Sequence, residues 1–103
     1  MSMPRLTWRK EPSEKGLARI GQGPRGADLR VGTTAVAHVR AARRDLGGSY
    51  YWYWYGSATE LGIPHRNTAS ERRDWPNTDE GFEAAKADCQ AYVERCLAAA
   101  NVV

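Results

Sequence analysis

Alternating apolar and polar residues predict three short strands in the first half of the chain. The alternation runs through residues 5–10, 27–31 and 34–42, and it is the period of a strand that buries one face. Gly32–Thr33 separates the second segment from the third, and such a short break predicts a β-hairpin. In the third segment we expect one face to carry Ala35, Ala37, Val39 and Ala41, and the other Val36, His38 and Arg40.

Residues 50–55 form the strongest predicted strand. Their sequence, YYWYWY, is entirely aromatic, it ends at Gly56, and aromatic residues favour extended structure. Alternation places Tyr50, Trp52 and Trp54 on one face of the sheet and Tyr51, Tyr53 and Tyr55 on the other. Because tryptophan has the larger apolar area, we expect Trp52 and Trp54 in the core. The three tyrosines are then candidates for an exposed contact surface.

The C-terminal residues 78–100 are predicted to form one amphipathic helix. Thr78 is a suitable N-cap, and Asp79 and Glu80 place carboxylates at the positive end of the helix dipole. Apolar residues then recur at helical spacing, at Phe82, Ala85, Cys89, Tyr92, Val93, Cys96, Leu97 and Ala100. Residues 57–77 show no sustained period, and we interpret them as a long connection with room for a helical turn around residues 69–73.

Together these elements predict an α+β fold in a single domain, residues 1–103. The strands lie within residues 5–56 and form a three- to four-stranded antiparallel sheet, packed on one face by the single C-terminal helix. One helix covers only one face of a sheet. The other face must therefore meet solvent, a partner or a second copy of the chain.

The composition is ordinary for a globular protein, with 42% hydrophobic and 26% charged residues. No apolar run approaches the ~20 residues that span a bilayer, so we expect no membrane contact. The N-terminus has no hydrophobic signal segment, which favours a cytoplasmic location in a bacterial host cell.

The net charge of +3 is unevenly distributed along the chain. Residues 1–44 contain ten Lys/Arg and three Asp/Glu, whereas residues 45–103 contain five and nine. The asymmetry indicates either a basic surface for an acidic or nucleic-acid partner, or an ordinary solvated strand face. The arginine fork suits phosphate and carboxylate capture. The candidate partner-binding arginines are Arg40, Arg43, Arg44, Arg66, Arg72 and Arg73.

No motif in the sequence predicts catalysis. Residues 21–26 (GQGPRG) match a dinucleotide-binding glycine pattern, but Pro24 interrupts them and a strand follows, so a plain turn is the better interpretation. His38 and His65 have no carboxylate or serine at motif spacing, and Cys89 and Cys96 lie too far apart on a helix for a disulfide. We therefore expect a protein that is not an enzyme and has no catalytic residues, metal site or cofactor.

Several segments resemble small proteins carried by phages, prophages and other mobile elements of proteobacteria. They are LTWR near the start, VAHVR, YWYWYG, PHRNT, and TDEGFEAAKADCQAYV in the helix. Proteins of this size and origin include the anti-CRISPR inhibitors, which bind a host defence complex and block it without catalysis. The resemblance implies such a role, but anti-CRISPR proteins share no common signature from which site residues are transferable.

Three hypotheses for function follow. In the first, the chain inhibits a host defence effector of the CRISPR type by occluding a protein or nucleic-acid site, with a host protein or ribonucleoprotein complex as its partner. In the second, the basic half and the aromatic strand bind nucleic acid directly. In the third, the chain is a minor phage structural or assembly protein that self-associates, for example as a homodimer, through the free sheet face.

Overall fold

A computed structural model describes residues 5–11, 25–43 and 49–100 of the chain. Within these residues six strands precede one long helix. The elements are β1 (Leu6–Lys10), β2 (Ala27–Val31), β3 (Thr34–Arg43), β4 (Tyr50–Ala58), a short 3₁₀ helix (Thr59–Leu61), β5 (Ile63–Asn67), β6 (Trp75–Pro76) and α1 (Asp79–Ala100). The architecture is α+β, as the sequence predicts.

The strands form one antiparallel sheet in the order β1-β2-β3-β4-β5, and β6 also pairs with β4. The predicted count of three or four strands is too low, because residues 57–77 contain β5 and β6. Both strands pair with the outer edge of the aromatic strand β4. The predicted hairpin turn is confirmed, since Val31 pairs with Thr34 across Gly32–Thr33 and Gly32 has a φ of 62°.

A β-bulge interrupts the pairing of β2 with β3. Arg30 pairs with Ala35, but the preceding residue Leu29 pairs with Ala37, so Val36 is an extra residue in β3. Val36 and Ala37 are consequently both buried, whereas Ala35 is exposed. The predicted faces of β3 are therefore wrong at Ala35 and Val36, because strict alternation does not anticipate an inserted residue.

Thr68 closes a gap between β5 and β6 along the edge of β4. Its hydroxyl accepts a hydrogen bond from the Trp54 backbone N–H at 3.0 Å and donates to the Trp54 carbonyl at 3.1 Å. Its own N–H also donates to that carbonyl, at 3.0 Å. The chain then leaves the sheet through turns at residues 68–72, where Arg72 has a φ of 58°. Thr68 is completely buried because it substitutes for a strand residue.

Helix α1 packs on one face of the sheet through a row of small residues. The buried positions recur every four residues, and they are Gly81, Ala85, Cys89, Val93 and Leu97. A Cβ at Gly81 would lie only 1.9 Å from the Pro76 carbonyl oxygen, so glycine lets β6 approach the helix. The predicted cap is confirmed, because the Gly81 N–H donates to Thr78 Oγ1 at 2.9 Å.

Trp52 and Trp54 lie in the core beneath α1, as predicted. Their rings pack against Phe82 and Tyr92 respectively, with centroid separations of 4.5 and 5.3 Å. No strand or helix in the described part of the chain covers the opposite face of the sheet. Among the described residues, no helix combines the length and the apolar character needed to cross a membrane. The glycine-rich turn predicted over residues 21–26 falls mostly outside the described residues.

Candidate functional site

The face of the sheet opposite α1 carries a continuous row of aromatic rings, which we call the tyrosine face. It consists of Tyr51, Tyr53, Tyr55, His38 and Arg40. Successive tyrosine centroids on β4 are 6.2 and 6.0 Å apart, and the rings of Tyr53 and Tyr55 are stacked. The His38 ring lies 5.0 Å from that of Tyr55 across the β3–β4 pairing. All three tyrosine side chains are half-buried, because neighbouring rings on the same sheet face partly cover one another.

Asp28 joins this face to strand β2. Its Oδ1 lies 2.8 Å from His38 Nδ1 and 2.8 Å from Arg40 Nη2. Burial by itself raises the pKa of Asp28, but hydrogen bonds from His38 and Arg40 and the charge of Arg40 outweigh it and lower the pKa. An ionised carboxylate only accepts hydrogen bonds, so His38 Nδ1 is the donor and Nε2 is the ring nitrogen directed away from Asp28.

Arg40 is a connector within the fold as well as a member of the tyrosine face. It donates to the carbonyls of Ala27 and Val39 at 3.2 and 3.0 Å, and its Nε lies 3.6 Å from Glu11 Oε1. Its side chain is only 22% exposed. Arg40 therefore contributes positive charge to the face while its donors link β3 to β2 and to Glu11, the residue that follows β1.

Tyr53, at the centre of the tyrosine row, keeps its proton. Burial raises the pKa of its hydroxyl, and the neighbouring Tyr55 and Tyr51 raise it further, against a smaller opposite effect of Arg40. The hydroxyl thus remains a hydrogen-bond donor well above neutral pH. Tyr53 therefore offers the face a hydroxyl donor and a ring surface.

The other predicted partner-binding arginines do not join the tyrosine face. Arg43 lies at the end of β3, with its guanidinium 4.8 Å from the Tyr50 ring centroid. Arg72 is exposed in the turn that follows Thr68. Arg44 lies outside the described residues.

Arg66 and Arg73 lie on the helix side of the sheet, where both stabilise the fold. Arg66 makes a bidentate ion pair with Glu71 and lies over the rings of Trp54 and Tyr92, at 5.5 and 5.0 Å. This pair raises the pKa of Arg66 and lowers that of Glu71. Arg73 pairs with Asp88, whose other oxygen accepts the Trp54 indole N–H at 2.9 Å.

A second feature of the open face is a polar cleft of about 230 Å³ beside the tyrosine face. We call it the cationic cleft, and its lining residues are Arg9, Lys10, Asp28, Arg30 and Ala35. Arg9, Lys10 and Arg30 are not among the partner-binding residues predicted from the sequence. The sequence does contain a signal for Arg9 and Arg30, because both occupy polar positions of strands with alternating residues in the basic half of the chain. The exposure of Ala35 depends on the bulge at Val36, which local patterning does not reveal.

Other reactive side chains in the described residues show no site. Cys89 and Cys96 are free thiols, and burial raises the pKa of Cys89 to about 12, with a further contribution from Asp88. Such a thiol stays protonated and unreactive. Within residues 5–11, 25–43 and 49–100, no three His, Cys, Asp or Glu side chains lie together in a way that could hold a metal ion.

Comparisons with protein-family models, with curated proteins and with solved structures find no match to this chain. The functional argument therefore rests on the open sheet face itself.

Proposed function

We propose that this chain is a non-catalytic binding domain of a phage or other mobile element, and that it inhibits a host defence effector of the CRISPR type. The open sheet face would occlude a site on that effector. The observation that carries the proposal is the tyrosine face, where three tyrosines, His38 and Arg40 form one contiguous surface that no described helix or strand covers.

The composition of this surface supports binding. Tyrosine and arginine are enriched among the residues that dominate the energy of protein interfaces. Each tyrosine presents a large ring with few rotatable bonds, so little side-chain entropy is lost on binding. Contacts between neighbouring rings and the Asp28–His38–Arg40 hydrogen bonds already order the surface. A preorganised face reduces the ordering cost of association.

Inhibition by occlusion needs no chemistry from this chain. Its requirement is a rigid surface that binds the effector and excludes the effector's own ligand. The strands that present the tyrosine face are held from behind by the core under α1, where Trp54 and Val39 are fully buried. The face therefore keeps its shape when a partner binds.

A plasmid-interference assay tests the proposal directly. The chain is expressed in bacteria that carry an active CRISPR system, and the survival of a targeted plasmid is measured. We expect the wild-type chain to raise plasmid survival with at least one class of effector. Tyr53→Ala should abolish this effect, because it removes the central ring of the tyrosine face.

Arg95→Gln is the matched control, since Arg95 is exposed on α1 and lies two residues from both Val93 and Leu97, on the side of the helix opposite its buried row. This variant should protect the plasmid as well as the wild-type chain does. Circular dichroism of each purified variant establishes that it is folded. Unchanged plasmid survival across a panel of effector classes, with folded wild-type protein present, would refute the proposal.

A further inference from the structure

The cationic cleft and the tyrosine face are adjacent parts of one surface. Directly paired residues run across five strands in a single row, made up of Arg9, Asp28, His38, Tyr55 and Asn67. The row begins with a cation of the cleft on β1 and reaches the aromatic rings on β3 and β4. Since adjacent strands lie about 4.8 Å apart, the cleft between β1 and β2 is roughly 12 Å from the tyrosines on β4.

The charge of the cleft is positive. Arg9, Lys10 and Arg30 line it, and Asp28 is its one acidic lining residue. The Asp28 carboxylate is already hydrogen bonded to His38 and Arg40, which offsets its charge. Among the residues that the structure describes, neither Arg9 nor Lys10 forms an ion pair with a carboxylate. The cleft thus has cationic side chains around the small side chain of Ala35, and its positive charge is complementary to an anionic ligand.

We propose that the open face binds single-stranded nucleic acid, with a backbone phosphate in the cationic cleft and bases stacked on His38 and the tyrosines. The proposal deepens the proposed function and rests on it for the use of this face: the strand would belong to the effector's nucleic acid. Cations and partly exposed aromatic rings are the two components of single-strand binding surfaces, and this face has both side by side. Duplex nucleic acid, whose bases are already stacked, lacks the free ring surface that the tyrosines would contact.

The test is fluorescence anisotropy of the full chain with labelled oligo-dT and oligo-U of equal length, and with a duplex of the same length. Both single strands contain the phosphodiester backbone and unstacked bases, so comparing them shows whether the source is DNA or RNA. We expect a single strand to bind at about 50 mM salt and to dissociate progressively towards about 200 mM, because bound phosphates release counterions. The duplex should bind more weakly.

Two variants locate the phosphate in the cleft. Arg9→Gln/Lys10→Gln should reduce the magnitude of the slope of log affinity against log salt by about 0.7, since the one phosphate held in the cleft contributes about 0.7 on a single strand. Ala35→Glu places a carboxylate on the floor of the cleft and should weaken binding at low salt. Both changes are at exposed positions, and Arg95→Gln is again the control that should leave the affinity unchanged.

A third variant tests base stacking. Tyr53→Ala should weaken binding roughly 5- to 150-fold, the range expected for loss of one stacked base, and should leave the salt slope unchanged. Equal loss of affinity in Arg95→Gln and in the cleft variants would overturn the assignment of the cleft. Equal affinity for duplex and single strand would overturn the assignment of the tyrosines.

The two proposals fail separately. If the wild-type chain binds neither oligonucleotide at low salt yet protects the plasmid in a Tyr53-dependent manner, the nucleic-acid proposal is refuted and the inhibitory function stands. If the oligonucleotides bind and plasmid survival is unchanged, the inhibitory function is refuted while the ligand of the face is established.

Discussion

The two faces of the sheet carry similar residues in very different settings. On the face covered by α1, the Trp54 ring packs against Tyr92 and Arg66, and its indole N–H donates to Asp88. On the open face, Tyr53 contacts only the neighbouring tyrosines among the ring pairs of the described residues. Helix α1 therefore supplies partners for the aromatic groups of one face, whereas Tyr53 on the other face is half-buried and no described helix or strand lies over it.

The same comparison holds for arginine. On the helix side of the sheet, Arg66 forms an ion pair with Glu71, and Arg73 forms one with Asp88. Both guanidinium groups therefore already have partners within the fold. Arg9 and Arg30 belong to the open face, where Arg30 donates to the Thr33 carbonyl and Arg9 lies exposed at the sheet edge. Arg66 and Arg73 thus have carboxylate partners next to α1, whereas Arg9 at the sheet edge has none among the described residues.

Truncating one aromatic ring on each face should give the largest contrast. Trp54→Ala is expected to reduce the free energy of unfolding by about 3–5 kcal/mol, because a fully buried indole is replaced by a cavity. Tyr53→Ala should cost only about 1 kcal/mol, since its ring is half-buried. Urea denaturation of both variants measures the difference. Similar losses would show that the tyrosine face is buried like a core.

Substitution by phenylalanine, which keeps an aromatic ring, compares the two tryptophans on the covered face. Trp54→Phe should cost about 1.5–3 kcal/mol because it removes a hydrogen bond to the Asp88 carboxylate. Trp52→Phe should cost less, because in the described part of the chain the buried Trp52 indole N–H has no acceptor. Thermal and urea denaturation provide the comparison. A larger loss for Trp52→Phe would contradict this assignment of partners.

The gap in the edge of β4 can be tested at Thr68. Thr68→Val keeps the side-chain shape but leaves the buried Trp54 N–H without its acceptor, so we expect a loss of about 1–3 kcal/mol. Thr68→Ser retains the hydroxyl and serves as the control, with a smaller loss from the missing methyl group. Amide hydrogen exchange at Trp54 should accelerate in the valine variant alone; equal exchange in both variants would contradict the role of the hydroxyl.

Asp28 provides the smallest expected effect, on the open face. Its pKa lies below the ordinary value of 3.8, so its contribution to stability is present above that value and is lost as pH falls through the folded-state pKa. Asp28→Asn should cost about 1 kcal/mol at neutral pH and flatten the acid limb of the stability curve. Denaturation between neutral and acidic pH measures this. An acid limb as steep as that of the wild-type chain would refute the linkage.

Much of the fold could be predicted because the signals are local. The Gly32–Thr33 hairpin, the Thr78 cap and the row of small residues along the helix are each specified by a few neighbouring residues. Segment 57–77 carries little local signal for strands, because β5 and β6 are short, contain Pro64 and Pro76 and, among the described residues, pair with β4 alone. Their strand structure depends on a long-range partner, which local propensity does not report.

The candidate site divides in the same way. Alternation along β4 is enough to predict that the tryptophans and the alternating tyrosines face opposite sides of the sheet. The residues beside those tyrosines, in contrast, depend on how the strands pair in three dimensions. A simple two-residue hairpin would pair Asp28 with Ala37, whereas the bulge at Val36 advances the register by one residue and pairs Asp28 with His38. The bulge also separates the two parts of β3, so that Ala35 on the turn side of Val36 lines the cationic cleft beside Arg30, while Ala37 and Val39 on the other side of Val36 face the core.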